Sequence, residues 1–404
     1  MILPLYKKTV LDFSRTLLFL LIISINIREP YFHSRELLFF LFVSISFSYG
    51  NYKKIINVLL LLALWGWSLV YNVLVPGSDA INGSWFQAII ISAYLFLMVF
   101  SKKEYYETII NAFLFSATLV SLITIGLWLL CWFVPAIRTV LATYFMLLHE
   151  TTNLSFINID TRMILGVPFF FVWYRTIPIV IPALGYYYII RLSGNKNRKN
   201  LFRIILYTVA LILSGTRADM MAAGLLCFFY LCFQLLRKRC FCTAYVLVLT
   251  TLCVGAVAAF SFLNDKGSKS SSIKHLHQIS YFNTFDTDYA RTLFFGWGDG
   301  STFYTLGRRA FVDLTELSHW ETIRRYGFIS MVLIMFFIWL RPLIRKVLNE
   351  KSIIKYYYML VVFAYIFVAC TNPYLLDSLG FCVLLFFDAF FEFETCRTEK
   401  RYLK

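Results

Sequence analysis

The chain has 404 residues, of which 60% are apolar, 19% aromatic and only 15% charged, with a mean hydropathy of +0.70. That balance excludes a soluble globular enzyme and describes a polytopic membrane protein. The formal net charge of +16 has no basic stripe with interleaved stacking aromatics behind it. No nucleic acid is therefore expected as a partner; the charge suits contact with anionic membrane lipid.

Hydropathy read along the chain predicts an all-α protein of about twelve spans, each long enough for the hydrocarbon core. They fall near 11–27, 36–50, 55–74, 86–100, 108–133, 163–190, 202–214, 218–236, 242–263, 326–340, 355–371 and 377–391. The first run lacks a small-residue cleavage site after it and reads as a retained helix. With the N-terminus inside, the inner segments carry 24 of the 38 lysines and arginines, and eight of the other 14 lie in one long loop at 264–325. The positive-inside rule then places both termini in the cytoplasm and that loop outside. The nine cysteines all fall in spans or on the inner side, so no disulfide is expected. Cys240-Phe241-Cys242 beside Arg237-Lys238-Arg239 reads as ordinary juxtamembrane sequence, and no spacing suggests a metal or other cofactor.

Three stretches organise the chain: 1–263 with the first nine spans, the loop 264–325, and 326–404 with the last three spans and a cytoplasmic tail. Two regions break the pattern of helices joined by short turns. Between 134 and 175, Pro135, a short apolar run, the polar stretch His149–Thr161, Arg162, Pro168 and Arg175 predict a re-entrant or interfacial segment feeding a broken sixth span. Irregular backbone at that depth requires cover from protein or a wet cavity. In 264–325, Asp265–Ser272 reads as a flexible linker. Gly296-Trp297-Gly298-Asp299-Gly300 offers tight turns, and 314–326 has helical character. An ordered loop of this length usually carries function.

Between two apolar runs, Leu213-Ser214-Gly215-Thr216-Arg217-Ala218-Asp219 puts an arginine at a tight interhelical turn beside small residues. A guanidinium held there suits an anionic head group such as a lipid-linked diphosphate. Arg162, Arg175 and Arg291 are further outer-face cations for the same task. Glu316 and His319 are the available bases. On a helix over 314–326 they would share a face at i, i+3, while Glu321 and Arg325 would pair at i, i+4. The carboxylate could take a hydroxyl proton while the histidine orients substrate, or the reverse. The bland alternatives are an Arg217 that snorkels and pairs with Asp219, and a Glu316 and His319 that serve only the loop. Trp297 and Trp320 could each be a sugar platform or mere packing.

Leu213-Ser214-Gly215-Thr216-Arg217-Ala218-Asp219-Met220 resembles the Leu-x-Gly-Ser-Arg-Gly turn of the bacterial O-antigen polymerase and O-antigen ligase family. The stretch Phe295–Phe303 looks like that family's Gly-x-Gly element, and Glu316–Gly327 resembles its segment entering the next helix. The likeness in sequence is confined to about 200–340. It implies a GT-C-like, metal-independent glycosyltransferase acting on an undecaprenyl-diphosphate-linked oligosaccharide at the outer face of the cytoplasmic membrane, with a chain-length regulator as a further candidate partner. The ligases carry His-Asn where this chain has Glu316-Leu317, eleven residues before Gly327, which favours polymerase over ligase. A flippase for lipid-linked oligosaccharide is the non-enzyme alternative. It would call for two similar halves and mid-span charges, neither of which is seen.

Overall fold

The computed structural model describes residues 2–27, 34–46, 103–152, 157–164, 167–195, 197–240, 269–298, 301–312, 315, 317–350, 354–370, 375 and 377–402, with scattered positions between 59 and 98 and at 243 and 246. It is mostly helical, at 83%, so the two short hairpins described below are insertions in a helical protein. Four helices among the described residues are long and apolar enough to cross a membrane: Thr9–Ile27, Lys103–Phe133, Arg217–Arg237 and Phe328–Asn349. The shortest, at 19 residues, spans about 30 Å at 1.5 Å per residue, which matches a hydrocarbon core. Pro135–Leu148, Ile177–Leu192 and Ile354–Cys370 are shorter apolar helices. The spans expected at 55–74, 86–100 and 242–263 lie outside the described residues except for those scattered positions.

The chain divides into two compact units, one of residues 1–116, 273–349 and 369–404 and the other of 117–272 and 350–368. In the first, α1 (Ile2–Ile27) packs against α2 (Ser34–Ser46) and the last helix, Ser378–Tyr402. Leu18, Leu21 and Ile22 of α1 are fully buried, and Ser14 Oγ lies 2.8 Å from the hydroxyl of Tyr105 on α3 (Lys103–Phe133). Phe113 stacks on Phe386 with ring centroids 4.2 Å apart.

The second unit holds the end of α3, α4 (Pro135–Thr152), the antiparallel pair β1 (Ile157–Ile164) and β2 (Val167–Tyr174), then α5 (Val180–Leu192), α6 (Arg198–Leu213) and α7 (Arg217–Arg237). The hairpin corrects the span drawn at 163–190. Its first arm alternates Ile157, Asn158, Ile159, Asp160, which is strand periodicity, and its second is the aromatic and β-branched run Phe169–Tyr174. A short apolar run of that kind reads equally well as part of a helix until its pairing is known. Here the register runs from Ile157 opposite Tyr174 to Ile164 opposite Val167, and the helix begins only at Val180. Ile159, Phe170 and Val172 bury themselves with Cys131 of α3, and Trp128 Nε1 donates to the Phe170 carbonyl at 2.9 Å. Arg138 of α4 stacks on Phe170 at 4.6 Å and donates to Thr161 Oγ1 at 2.8 Å.

From Ile273 on, the long loop belongs to the first unit. Helix α8 spans Lys269–Thr287, so Lys269–Ser272 is helical where a linker was expected. Asp288 caps α9 (Tyr289–Phe294) by accepting from Arg291 N at 2.9 Å. A short hairpin, β3 (Phe303–Thr305) with β4 (Ala310–Val312), precedes α10 (Ser318–Tyr326). Tyr281, Phe285, Phe303, Leu317 and Ile323 form a small core of their own, with Trp320 against it. Gly327, at φ +87°, separates α10 from α11 (Phe328–Asn349). Within α11 the turns widen over Met335–Leu340 just before Pro342, which cannot supply the N–H that a regular helix needs. Helices α12 (Ile354–Cys370) and α13 (Ser378–Tyr402) complete the chain.

Candidate substrate-binding and catalytic site

The turn carrying Arg217 is built from short polar side chains. Ser214 caps the end of α6, with Oγ 2.7 Å from the Leu211 carbonyl and 3.2 Å from Asp219 Oδ2. Thr216 donates its hydroxyl to the same Asp219 oxygen. Among the described residues these two hydroxyls are the donors to Asp219, which is 1% exposed. The aspartate therefore locks the turn, and the expected alternative in which it merely pairs with Arg217 is not what holds it. Gly215 has φ +66°, and a Cβ there would collide with the Phe171 ring of β2. Both the backbone and the neighbour require glycine. Arg217 is then the first residue of α7, half-buried, with its Nη2 shut from solvent.

The hairpin that backs this turn also carries two more of the nominated cations. Arg162 stands in β1 opposite Phe169, two residues from the Phe171 position. Arg175 follows the last residue of β2 and is half-buried. Four strand positions separate it from Phe171, about 13 Å along the strand. Three of the four arginines proposed for a diphosphate thus belong to one unit, at a turn, in a strand and at a strand end.

Arg291 belongs to the other unit, where its guanidinium lies 3.9 Å above the Trp297 ring and its Nε donates to the Gly296 carbonyl at 3.2 Å. That use leaves Trp297 with one ring face covered, which weakens its reading as a sugar platform. Trp320 packs edge-on to Phe282, with ring centroids 5.0 Å apart, and tilts against Phe285. It serves the small core.

Of the two proposed bases, Glu316 lies outside the described residues. Helix α10 begins at Ser318, with Leu317 outside helical geometry at its N-cap, and the i, i+3 relation expected for 316 and 319 lies outside the described residues. His319 is half-buried, and its Nδ1 lies 3.1 Å from the carbonyl of Cys370, the last residue of α12. A carbonyl can only accept, so Nδ1 carries the proton and Nε2 the lone pair. The final carbonyls of a helix lack intrahelical partners and hold partial negative charge, so they favour this donor. Burial depresses the His319 pKa below its ordinary range, which keeps the ring neutral.

A third group, only half read from sequence, dominates the loop. The expected Glu321–Arg325 pair is present at 2.6 Å, and Arg324 adds a second contact of 2.5 Å to the same carboxylate. Tyr281 donates its hydroxyl to the other oxygen at 2.5 Å, and Arg324 Nη1 reaches the Ser301 carbonyl at 2.8 Å. Despite burial, the two guanidiniums hold the Glu321 carboxyl down to about 2, so it cannot serve as a base near neutral pH. Its work is structural. The carbonyls of Arg324 and Arg325 accept from Trp297 N at 2.5 Å and Gly298 N at 3.1 Å, tying the Gly296–Gly298 strap to α10. The signal for Arg324 was its spacing from Glu321, i to i+3, in a helix whose middle is buried.

Among the described residues, no three of His, Cys, Asp and Glu gather where they could hold a metal ion. Compared with models of known protein families the chain matches none, and it matches no curated protein. The likeness of its three motifs to the polymerase and ligase family therefore rests on the quoted residues alone.

Proposed function

We propose that the chain is a membrane-embedded polymerase of a surface polysaccharide, an O-antigen or a capsule. It would join repeat units carried on undecaprenyl diphosphate at the outer face of the bacterial cytoplasmic membrane. The reading carries with it a GT-C-like arrangement of about twelve spans and two cytoplasmic termini. The observation that supports it best is the locked Arg217 turn: Asp219 Oδ2 takes the Ser214 and Thr216 hydroxyls, Gly215 is wedged on Phe171, and the guanidinium starts an apolar helix long enough to span.

In that reaction the acceptor hydroxyl oxygen bonds to the anomeric carbon while the bond from that carbon to the diphosphate oxygen breaks. The leaving diphosphate keeps the electron pair. Arg217, with Arg162 and Arg175, supplies the counter-charge where it develops. The hydroxyl proton goes to Glu316 or to Nε2 of His319.

The test is polysaccharide from a deletion strain carrying variants of the gene. Arg217→Ala should leave protein abundance near normal and abolish chain extension. Arg217→Lys should recover little, since an ammonium lacks the planar fork that bridges two diphosphate oxygens. A normal ladder from well-expressed Arg217→Ala would sink the reading, and loss of every capped species, single units included, would point to a ligase.

A further inference from the structure

Helix α9 ends in an aromatic step that the rest of the loop leaves uncovered. Phe294 is 51% exposed, Phe295 45% and Leu293 41%. The other end of the helix is polar: Asp288 caps it, and Tyr289 donates its hydroxyl to Asp286 at 2.8 Å. The uncovered step sits against the start of a span. At Gly327 an added Cβ would come within 2.9 Å of the Phe294 carbonyl carbon and 3.0 Å of Phe295 N, so the two backbones touch there. Gly327 immediately precedes α11, a candidate membrane span, and α9 packs on both α10 and α11. The first turns of α11 expose Phe328, Ile329, Val332 and Phe336, the kind of side chains that meet acyl chains. Exposed aromatics on α9 thus lie beside the exposed apolar side chains that begin a candidate span.

We propose that α9 dips its C-terminal end into the bilayer, so that Phe294 and Phe295 insert beside the first turn of α11 at the boundary between head groups and acyl chains. Contiguous exposed apolar side chains mark a contact surface, and continuity with a span selects lipid as the partner. The guanidinium of Arg291 stacked on Trp297, next along the chain, is the pairing that suits the head-group layer. The anchor has a consequence for α10. Because Trp297 N and Gly298 N bond to the carbonyls of Arg324 and Arg325, fixing the end of α9 at the membrane surface also fixes the height of the helix that carries His319.

The test is photo-crosslinking of the full-length protein in vesicles of phosphatidylethanolamine and phosphatidylglycerol, with p-benzoylphenylalanine replacing Phe294, Phe295 or, as the lipid-facing reference, Phe336. The replacement keeps a ring at a half-exposed position. Leu293→p-benzoylphenylalanine gives a second site on the same helix end should either variant fold poorly. Phospholipid adducts are expected at the α9 positions with yields within about threefold of the reference, since these rings sit at the edge of the acyl region. Reference adducts with none on α9 would overturn the proposal. So would α9 adducts that are protein or saccharide, or a Phe336 reference that yields no lipid adduct, because continuity with a lipid-facing helix would then be gone.

Discussion

Glu321 and Arg324 form an ion pair 2.5 Å long in which both side chains are buried, at 6% and 0% exposure. Buried charges of this kind tolerate no loss of a partner. Glu321→Ala leaves two guanidiniums in a dry site and should cost about 3–5 kcal/mol, enough to open the loop. Limited proteolysis of the detergent-solubilised protein checks this. Cleavage within 269–326 should appear in the variant under conditions where the wild type resists, and an equally resistant variant would contradict the account.

The same carboxyl sets a pH dependence. Its folded value is lowered to about 2 by the two arginines, against an ordinary value of about 4.3 in the unfolded chain. A lowered value means the stabilisation is fully present above the unfolded value and is lost as pH falls toward the folded one. Protease resistance of 269–326 should therefore hold from neutral pH to about 5 and decline between about 4 and 2. Glu321→Gln should lack that decline, because it has no proton to gain.

Gly215 and Phe171 make a second testable contact. Gly215→Ala forces a Cβ both into a left-handed backbone, at a cost of about 1–2 kcal/mol, and into the Phe171 ring. Adding Phe171→Gly removes the colliding Cβ and ring but not the backbone strain. The double variant should then be less destabilised than the sum of the two single changes, read from thermal denaturation in detergent. Simple additivity would mean that the hairpin does not back the turn.

What was legible in the sequence is what hydropathy and local spacing encode. The runs at 11–27, 108–133, 218–236 and 326–340 carry through to helices long and apolar enough to span, and Glu321–Arg325 shows its pairing by spacing alone. The hairpin was hidden because Phe169–Tyr174 is apolar enough to extend a helix, and only its partner Ile157–Ile164 distinguishes a strand. Arg138 and Trp128 cap that hairpin from helices that precede it, contacts no local pattern announces. The Arg217 turn was visible as small residues around an arginine, but the assignment of Asp219 to hydroxyls depends on side-chain directions within a five-residue turn. His319 was visible as a titratable group. Its partner, the Cys370 carbonyl, is 51 residues away and is a backbone atom, which no residue-type pattern can mark.

That carbonyl gives the last prediction, which rests on the proposed polymerase. With Nδ1–H donating to Cys370, Nε2 is the atom left to accept a hydroxyl proton, and burial keeps the ring neutral below the ordinary histidine range. An asparagine amide at 319 can imitate the Nδ1 donor, and a glutamine amide reaches toward the Nε2 position, but neither is a base. If Nε2 takes the proton, both His319→Asn and His319→Gln should lower the rate of chain extension by about a hundred- to ten-thousand-fold while abundance stays normal. The acid limb of the wild-type pH–rate profile should then lie below about 6.5, because a depressed value moves protonation to lower pH. Should His319→Asn keep most of the activity, the histidine only anchors α10 to the end of α12. In that case Glu316→Gln, with its shape kept and its basicity removed, should be the variant that leaves surface glycan capped with single repeat units.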